Sequence, residues 1–259
     1  MDKIKQFIIS PGVQFFTHIY TDVYGLKCVN SGGYDENAPC LFVGAYYPED
    51  ILRIRSHKGF KMFLFMGTDA HSNNVIEQMR LTNVDRYIAM SSWIANRLKN
   101  RGFDYVEEQI LTTNPNQWNL EPLGDKVYAY APDNRVYRRY LIEEIQKEIP
   151  HKIILVTSVK DYSQRDLYEI YKQCFVGLRP TRWDGSSATV QELGFMGRKT
   201  VWNGDLPCAI NFKDDNDKQI VKDVVEIIKK ELRNIGKTNE DIRKKTLEAF
   251  DFKAKWLEV

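Results

Sequence analysis

Short apolar runs recur along this chain, and each gap between them leaves room for about one helix. The clearest are LFVG at 41–44, MFLFM at 62–66, YIAM at 87–90, KVYAYA at 126–131, KIILVT at 152–157, FVGL at 175–178 and KTVW at 199–202. Several of the gaps carry helical periodicity. Ile51, Leu52 and Ile54 fall inward over 48–57, and Val136, Tyr140, Leu141, Ile145 and Ile149 share one face over 136–149. Strands that are apolar on both faces belong inside parallel sheets, because the crossover helices cover both sides. The pattern therefore predicts an α/β fold assembled from βαβ units. Residues 106–111 are a further expected strand, and weaker strand signals lie at 7–9 and 26–29.

The alternation is broken once, at 113–125 (TNPNQWNLEPLGD), where prolines, a glycine and asparagines make a linker. Two Rossmann-like halves with parallel sheets facing a cleft are expected on either side. The boundaries are a reduced first domain at 1–118, a second domain at 119–245, and a terminal amphipathic helix at 246–259 that packs back on the first. A chain of 259 residues is long enough for this.

The bulk chemistry is that of an ordinary soluble protein. A net charge of +2 gives no pull toward nucleic acid or membrane. The basic segments Lys229-Lys230 and Arg243-Lys244-Lys245 are better explained as a solvated face than as a site for anionic lipid. No apolar run reaches about 18 residues, and the apolar part of MDKIKQFIISPG is too short for a signal peptide, so a cytoplasmic location is expected. Cys28, Cys40, Cys174 and Cys208 lack metal-binding spacing, and three of them sit in or beside apolar runs, as buried free thiols do. His18, His57 and His151 stand in no motif.

The chemistry concentrates at 176–205 (VGLRPTRWDGSSATVQELGFMGRKTVWNGD). A strand stops at Pro180, a polar turn carries Arg179, Arg182 and Asp184, and Gly185-Ser186-Ser187 opens a helix. Ligands bind at such strand ends in open α/β sheets, and a helix N-terminus offers N–H groups to an anion. No G-x-G-x-x-G follows any expected strand, which disfavours a dinucleotide enzyme. Asp184 and Glu192, with Gly185, Ser186 and Ser187 between them, suit a nucleotide sugar. One carboxylate would accept sugar hydroxyls and the other the ribose hydroxyls, while backbone N–H groups hold the diphosphate. Arg179, Arg182, Arg135 or Lys160 would neutralise that diphosphate as it leaves. Asp69 and His71 also follow a strand, and histidine is poised for proton transfer near neutral pH.

The stretch RPTRWDGSSATVQELGFMGRKTV resembles the donor-site signature of GT-B glycosyltransferases of the retaining group called family 4, an acid, seven residues, then a glutamate. Here the first acid is Asp184 where Glu is commoner, and Glu192 is the second. MGTDAH at 66–71, the Ser91-Ser92-Trp93 helix start and the closing AFDFKAKWLEV are similar to further elements of that family, whose members are longer in their first domain. The resemblance implies transfer of a sugar from a nucleoside diphosphate donor, UDP or GDP in type, to a hydroxyl of a glycan or glycoconjugate acceptor. It implies a retaining reaction without metal or other cofactor, and the sequence has no D-x-D motif outside the Lys-flanked loop Asp214-Asp215-Asn216-Asp217. It places Asp184 against the sugar, Glu192 on the ribose, residues 185–187 at the phosphates, and Asp69 or His71 toward the acceptor. Two other outcomes stay open at this point. One is a non-catalytic nucleotide-sugar or glycan-binding module, or a partner subunit; the other is a nucleotide-sugar epimerase.

Overall fold

A computed structural model describes residues 3–158, 161–182, 184–214 and 216–259. The chain forms two compact units. One runs to Asn114 and takes up Phe250–Val259; the other is Pro115–Ala249.

The first unit is built on β1 (Gln6–Ile9), β2 (Lys27–Cys28), β3 (Cys40–Val43), β4 (Lys61–Phe65), β5 (Arg86–Ala89) and β6 (Val106–Glu107). The order across the sheet is β2-β1-β3-β4-β5-β6, and every pair is parallel. All residues of β1, β3 and β4 are buried, which is why, past Gln6 and Lys61 at the strand starts, they run apolar rather than alternating. The crossovers are α1 (Pro48–Ser56), α2 (Thr68–His71), α3 (Asn73–Arg80) and α4 (Ser92–Lys99). Ser72 and Ser91 cap α3 and α4 by accepting from Val75 N and Ile94 N. The strand expected at 106–111 shrinks to two exposed residues at the sheet edge. Beyond them Leu111 N donates to the Tyr24 hydroxyl instead of to a ladder partner. A 3₁₀ turn at Pro11–Phe16 and a π turn at Ile19–Val23, both unexpected, link β1 to β2.

The second unit holds β7 (Lys126–Tyr130), β8 (Ile153–Val156), β9 (Cys174–Leu178), β10 (Lys199–Val201) and β11 (Ala209–Ile210). They are parallel, in the order β11-β10-β9-β7-β8. Around them lie α5 (Arg139–Glu148), α6 (Gln164–Lys172), α7 (Ala188–Phe195), α8 (Asp217–Glu231) and α9 (Glu240–Glu248). Leu141, Ile142 and Ile145 of α5 and Ile220, Val224 and Ile228 of α8 join Val127, Val176 and Leu178 in one core. α5 begins three residues after Val136, where it was expected to start. Asp133 and Asn134 take the backbone N–H groups of Val136 and Tyr140, and Arg138 stands in the left-handed region at φ 50°, so the preceding turn outcompetes the helix.

The terminal stretch differs from the helix expected over 246–259. α9 ends at Glu248 within the second unit, and the segment belonging to the first unit holds only a 3₁₀ turn at Lys255–Leu257. The Asp251 carboxylate explains the break. It accepts from Lys253 N and Lys255 N, fixing a turn where a helix would need those N–H groups. Ile4 N donates to Leu257 O at 3.0 Å, and Trp256 meets Tyr24 edge-on at 5.4 Å. All four cysteines are free. Burial pushes the Cys40, Cys174 and Cys208 thiols up to about 12, so they stay neutral. No described helix is long and apolar enough to cross a membrane.

Candidate functional site

In the second unit, β8 lies on one side of β7 and β9 on the other. The chain therefore leaves these two central strands in opposite directions, which opens a crevice between their C-terminal loops. Those loops are 131–138 and 179–187, and they touch: Arg182 N donates to Val136 O at 3.0 Å.

Arg179 stands at this crevice, just past β9, and is buried. Its Nε donates to Asp184 Oδ2 at 2.5 Å, and its guanidinium lies 4.9 Å from the Tyr137 ring centre and 5.7 Å from that of Tyr130. Burial alone would ease the guanidinium's proton off. The Asp184 carboxylate more than reverses this, so the pKa is raised and the group is a permanent cation. Asp184 is thus brought together with Arg179 but already holds one partner.

Gly185, Ser186 and Ser187 are buried at the start of α7. Ser187 caps the helix by accepting from Val190 N, and the Ser186 hydroxyl accepts from Gln191 Nε2 at 2.6 Å. Both hydroxyls thus serve the first turn, and the offer to an anion falls to the backbone N–H groups of that turn. Glu192 lies one turn further along α7 and accepts at Oε2 from the Tyr171 hydroxyl at 2.7 Å. α7 approaches the sheet closely because Gly177 leaves room: a Cβ there would come within 2.5 Å of Leu193 Cδ1 and 2.8 Å of Thr200 Oγ1.

The remaining expected residues are spread more widely. Arg135 and Arg182 are exposed in the two loops, and Lys160 lies outside the described residues. In the first unit, Asp69 is buried and turned inward. Its carboxylate accepts from Met66 N, Gly67 N and Ala70 N, at 2.8 to 3.1 Å. Burial raises its pKa to about 6 although those N–H groups pull the other way. His71 is exposed, with its ring stacked on Trp93 at 6.2 Å.

Sequence reasoning missed several participants. Arg138, three residues after Arg135, is buried and pairs with Asp214 at 2.6 Å. Asn216 caps α8, and Asp217 accepts from Tyr140. Asp214, Asn216 and Asp217 are thereby used within the fold, and among the described residues no cluster of His, Cys, Asp and Glu is set to hold a metal. Tyr130, Tyr137 and Tyr171 carried no motif, although tyrosines beside a strand-end arginine are the residues that would stack on it. In the first unit, a cavity of 420 Å³ is lined by Pro11, Asn30, Tyr47, Glu49, Asp50 and Arg53. It lies beside β1 and β3, where that sheet also reverses direction. Asp50 braces it by accepting from Ser10 Oγ, Tyr46 N and Tyr47 N.

No protein-family model matches the sequence, and no curated protein does. Solved structures do match. TarM of S. aureus, in a complex that includes UDP and alpha-GlcNAc-glycerol, superposes with a TM-score of 0.61 at 12% identity, over 86% of this chain and 55% of that one. Sucrose-phosphate synthase from Thermosynechococcus elongatus gives 0.58 at 12% identity, over 94% of this chain and 74% of that one. The pneumococcal O-GlcNAc transferase GtfA, in complex with UDP and GlcNAc, gives 0.54 at 13% identity, over 85% and 56%. The fold is the GT-B fold of these proteins, and the chain spans little more than half the length of TarM and GtfA.

Proposed function

We propose that the chain is a glycosyltransferase that moves a sugar from a nucleoside diphosphate donor, UDP or GDP in type, to a hydroxyl of a glycan or glycoconjugate. The bond from the anomeric carbon to the diphosphate oxygen breaks, and a bond from that carbon to the acceptor oxygen forms. The nucleoside diphosphate leaves with the electron pair, and the acceptor's proton passes to it or to a base. One observation carries the reading: an acid and a glutamate with seven residues between them stand on a loop and helix at the switch point of the second sheet, beside a buried permanent cation.

In this reading Asp184 faces the sugar, Glu192 binds the ribose, and the N–H groups at the start of α7 hold the diphosphate. Arg179, Arg182 and Arg135, with Lys160, stabilise it as charge develops, so the reaction proceeds without metal. Retention of configuration belongs to the same proposal and is supported by the likeness of the acid pair to the family 4 signature. Asp69 is occupied by backbone N–H groups. The acceptor side is therefore better served by the cavity at Pro11, Tyr47 and Arg53, with His71 kept as a candidate base. Neutral buried thiols suit a reducing compartment, and we place the protein in the cytoplasm.

A thermal-shift screen against UDP, GDP, TDP, ADP and CMP tests the donor site. The right nucleotide at about a hundred times its Kd stabilises the native state by about 2.7 kcal/mol. Glu192→Ala is expected to remove that shift; its unliganded melting temperature falls as well, because the buried Tyr171 hydroxyl loses its acceptor, so the ligand shift is read against the variant's own unliganded value. If no nucleotide shifts the parent, the assignment is wrong. A second reading, a nucleotide-sugar binder or partner subunit without transfer, is favoured by the ion pair that already engages Asp184. Release of free nucleoside diphosphate in the presence of an acceptor separates the two.

A further inference from the structure

α7 is an almost wholly buried helix. From Thr189 to Phe195 every residue is buried except Glu192. A carboxylate on such a helix is costly unless something holds it. One group that holds it is Tyr171, at the end of α6, whose hydroxyl donates to Glu192 Oε2 at 2.7 Å. This is a charge-assisted bond from a neutral phenol, since burial keeps that phenol protonated.

Tyr171 is itself fixed on several sides. It is fully buried, Tyr128 meets it edge-on at 4.8 Å, and Trp118 lies 5.5 Å away. Its backbone carbonyl accepts from Arg198 Nε at 2.7 Å, and that buried arginine also donates to the carbonyls of Cys174, Met196 and Pro122. Packing and the arginine set where the phenol oxygen is, and the phenol oxygen sets where the carboxylate is. A glutamate otherwise loses considerable side-chain freedom when it grips a ligand, and here much of that loss has been met in the fold.

We propose that Tyr171 is a positioning residue that holds Glu192 in the orientation required to grip a ribose, and so sets the preference of the site for ribonucleotides over 2′-deoxyribonucleotides. This rests on the donor-site reading above. Tyr171 touches no ligand; it acts through Glu192.

The test is the ratio of Kd values for a nucleoside diphosphate and its 2′-deoxy form, using UDP and GDP as probes by titration calorimetry. The parent is expected to favour the ribonucleotide by about tenfold, the size of one good hydrogen bond to a charged group. Tyr171→Phe removes only the hydroxyl and is expected to bring the ratio down to about threefold or less, mostly by weakening the ribonucleotide. Glu192→Gln sets the baseline, and in that background Tyr171→Phe is expected to change the ratio no further. A merely structural Tyr171 would weaken both nucleotides equally and leave the ratio alone. A parent that discriminates, with Tyr171→Phe discriminating just as well, overturns the positioning role and leaves the donor site standing. A parent that binds neither probe, or binds ribo and deoxy forms equally, overturns the donor-site reading together with it. If Tyr171→Phe fails to fold, Tyr171→Met, which also lacks the hydroxyl and can fill the space, takes its place: a ratio equal to the parent's overturns the role, and a ratio brought down to the Glu192→Gln value supports it.

Discussion

Asp69 and Asp184 hold matching places, each in the loop after a buried parallel strand, and they are used in opposite ways. Asp69 follows β4, is buried, and spends its oxygens on the N–H groups of its own loop. Asp184 follows β9, is partly exposed, and is held by a side chain, Arg179. A carboxylate satisfied by backbone becomes part of the fold, because no rotamer change frees it without stranding several N–H groups. A carboxylate satisfied by one guanidinium at the mouth of a crevice keeps acceptor capacity. Position after a strand therefore nominates a residue for chemistry, and the identity of its donors decides whether it is available.

The largest effect expected from this contrast is at Asp69. Asp69→Ala leaves Met66 N and Gly67 N without an acceptor, while Ala70 N keeps Gly67 O, and should cost on the order of 3 kcal/mol, read as a lower denaturant midpoint for the first unit. The same carboxyl gives a pH signature. Its pKa rises from the ordinary 3.8 to about 6 on folding, so the native state binds the proton more tightly than the unfolded chain. The stability this contributes is complete below about pH 4 and is lost as pH rises through about 6, a change of up to roughly 3 kcal/mol. The difference between parent and Asp69→Asn, measured by denaturation across that range, should carry this falling slope. A flat difference would mean that the N–H groups outweigh burial.

Asp184 should behave differently. Asp184→Ala leaves the buried Arg179 unpaired and should cost about 2 kcal/mol. Asp184→Asn keeps an oxygen for Arg179 Nε and should recover most of that stability, yet still bind a nucleotide sugar about tenfold more weakly than the parent. Stability and binding would then separate at Asp184, whereas at Asp69 they cannot. Equal binding by parent and Asp184→Asn would remove Asp184 from the donor site.

The same contrast explains what the sequence disclosed. The βαβ plan was legible because burial on both faces forces continuous apolar runs, and β3, β4, β7 and β9 all show them. The acid pair was legible because strand, turn and helix start are local. The ion pair of Arg179 with Asp184 spans only five residues, yet its tyrosine shelf comes from the end of β7 and the loop after it, and nothing local marks Tyr130, Tyr137 or Tyr171. The start of α5 and the end of α9 were misjudged for one reason: Asp133, Asn134 and Asp251 bond neighbouring N–H groups, a competition that hydrophobic periodicity does not register. Asp69 stands after its strand as expected, but its donors are main-chain groups, which leave no mark in the residue types.

The smallest expected effect extends the contrast from carboxylates to cations. Arg179 and Arg135 belong to the two loops that meet at the switch point, one buried between tyrosines and one exposed. The loop around Arg135 is held by the side chains of Asp133 and Asn134 through backbone N–H groups of Val136 and Tyr140, so truncating Arg135 does not loosen it. Arg135→Ala should therefore change stability by less than about 0.5 kcal/mol. An exposed guanidinium acts on a diphosphate through water and is screened by salt, so the variant should lose only about two- to threefold in affinity at low ionic strength and less as salt is added. Titration calorimetry with UDP or GDP at low and high salt reads both quantities. A loss above about tenfold that persists at high salt would show that Arg135 closes onto the ligand and becomes desolvated there, which would put it with Arg179 rather than with the solvated charges of the loop.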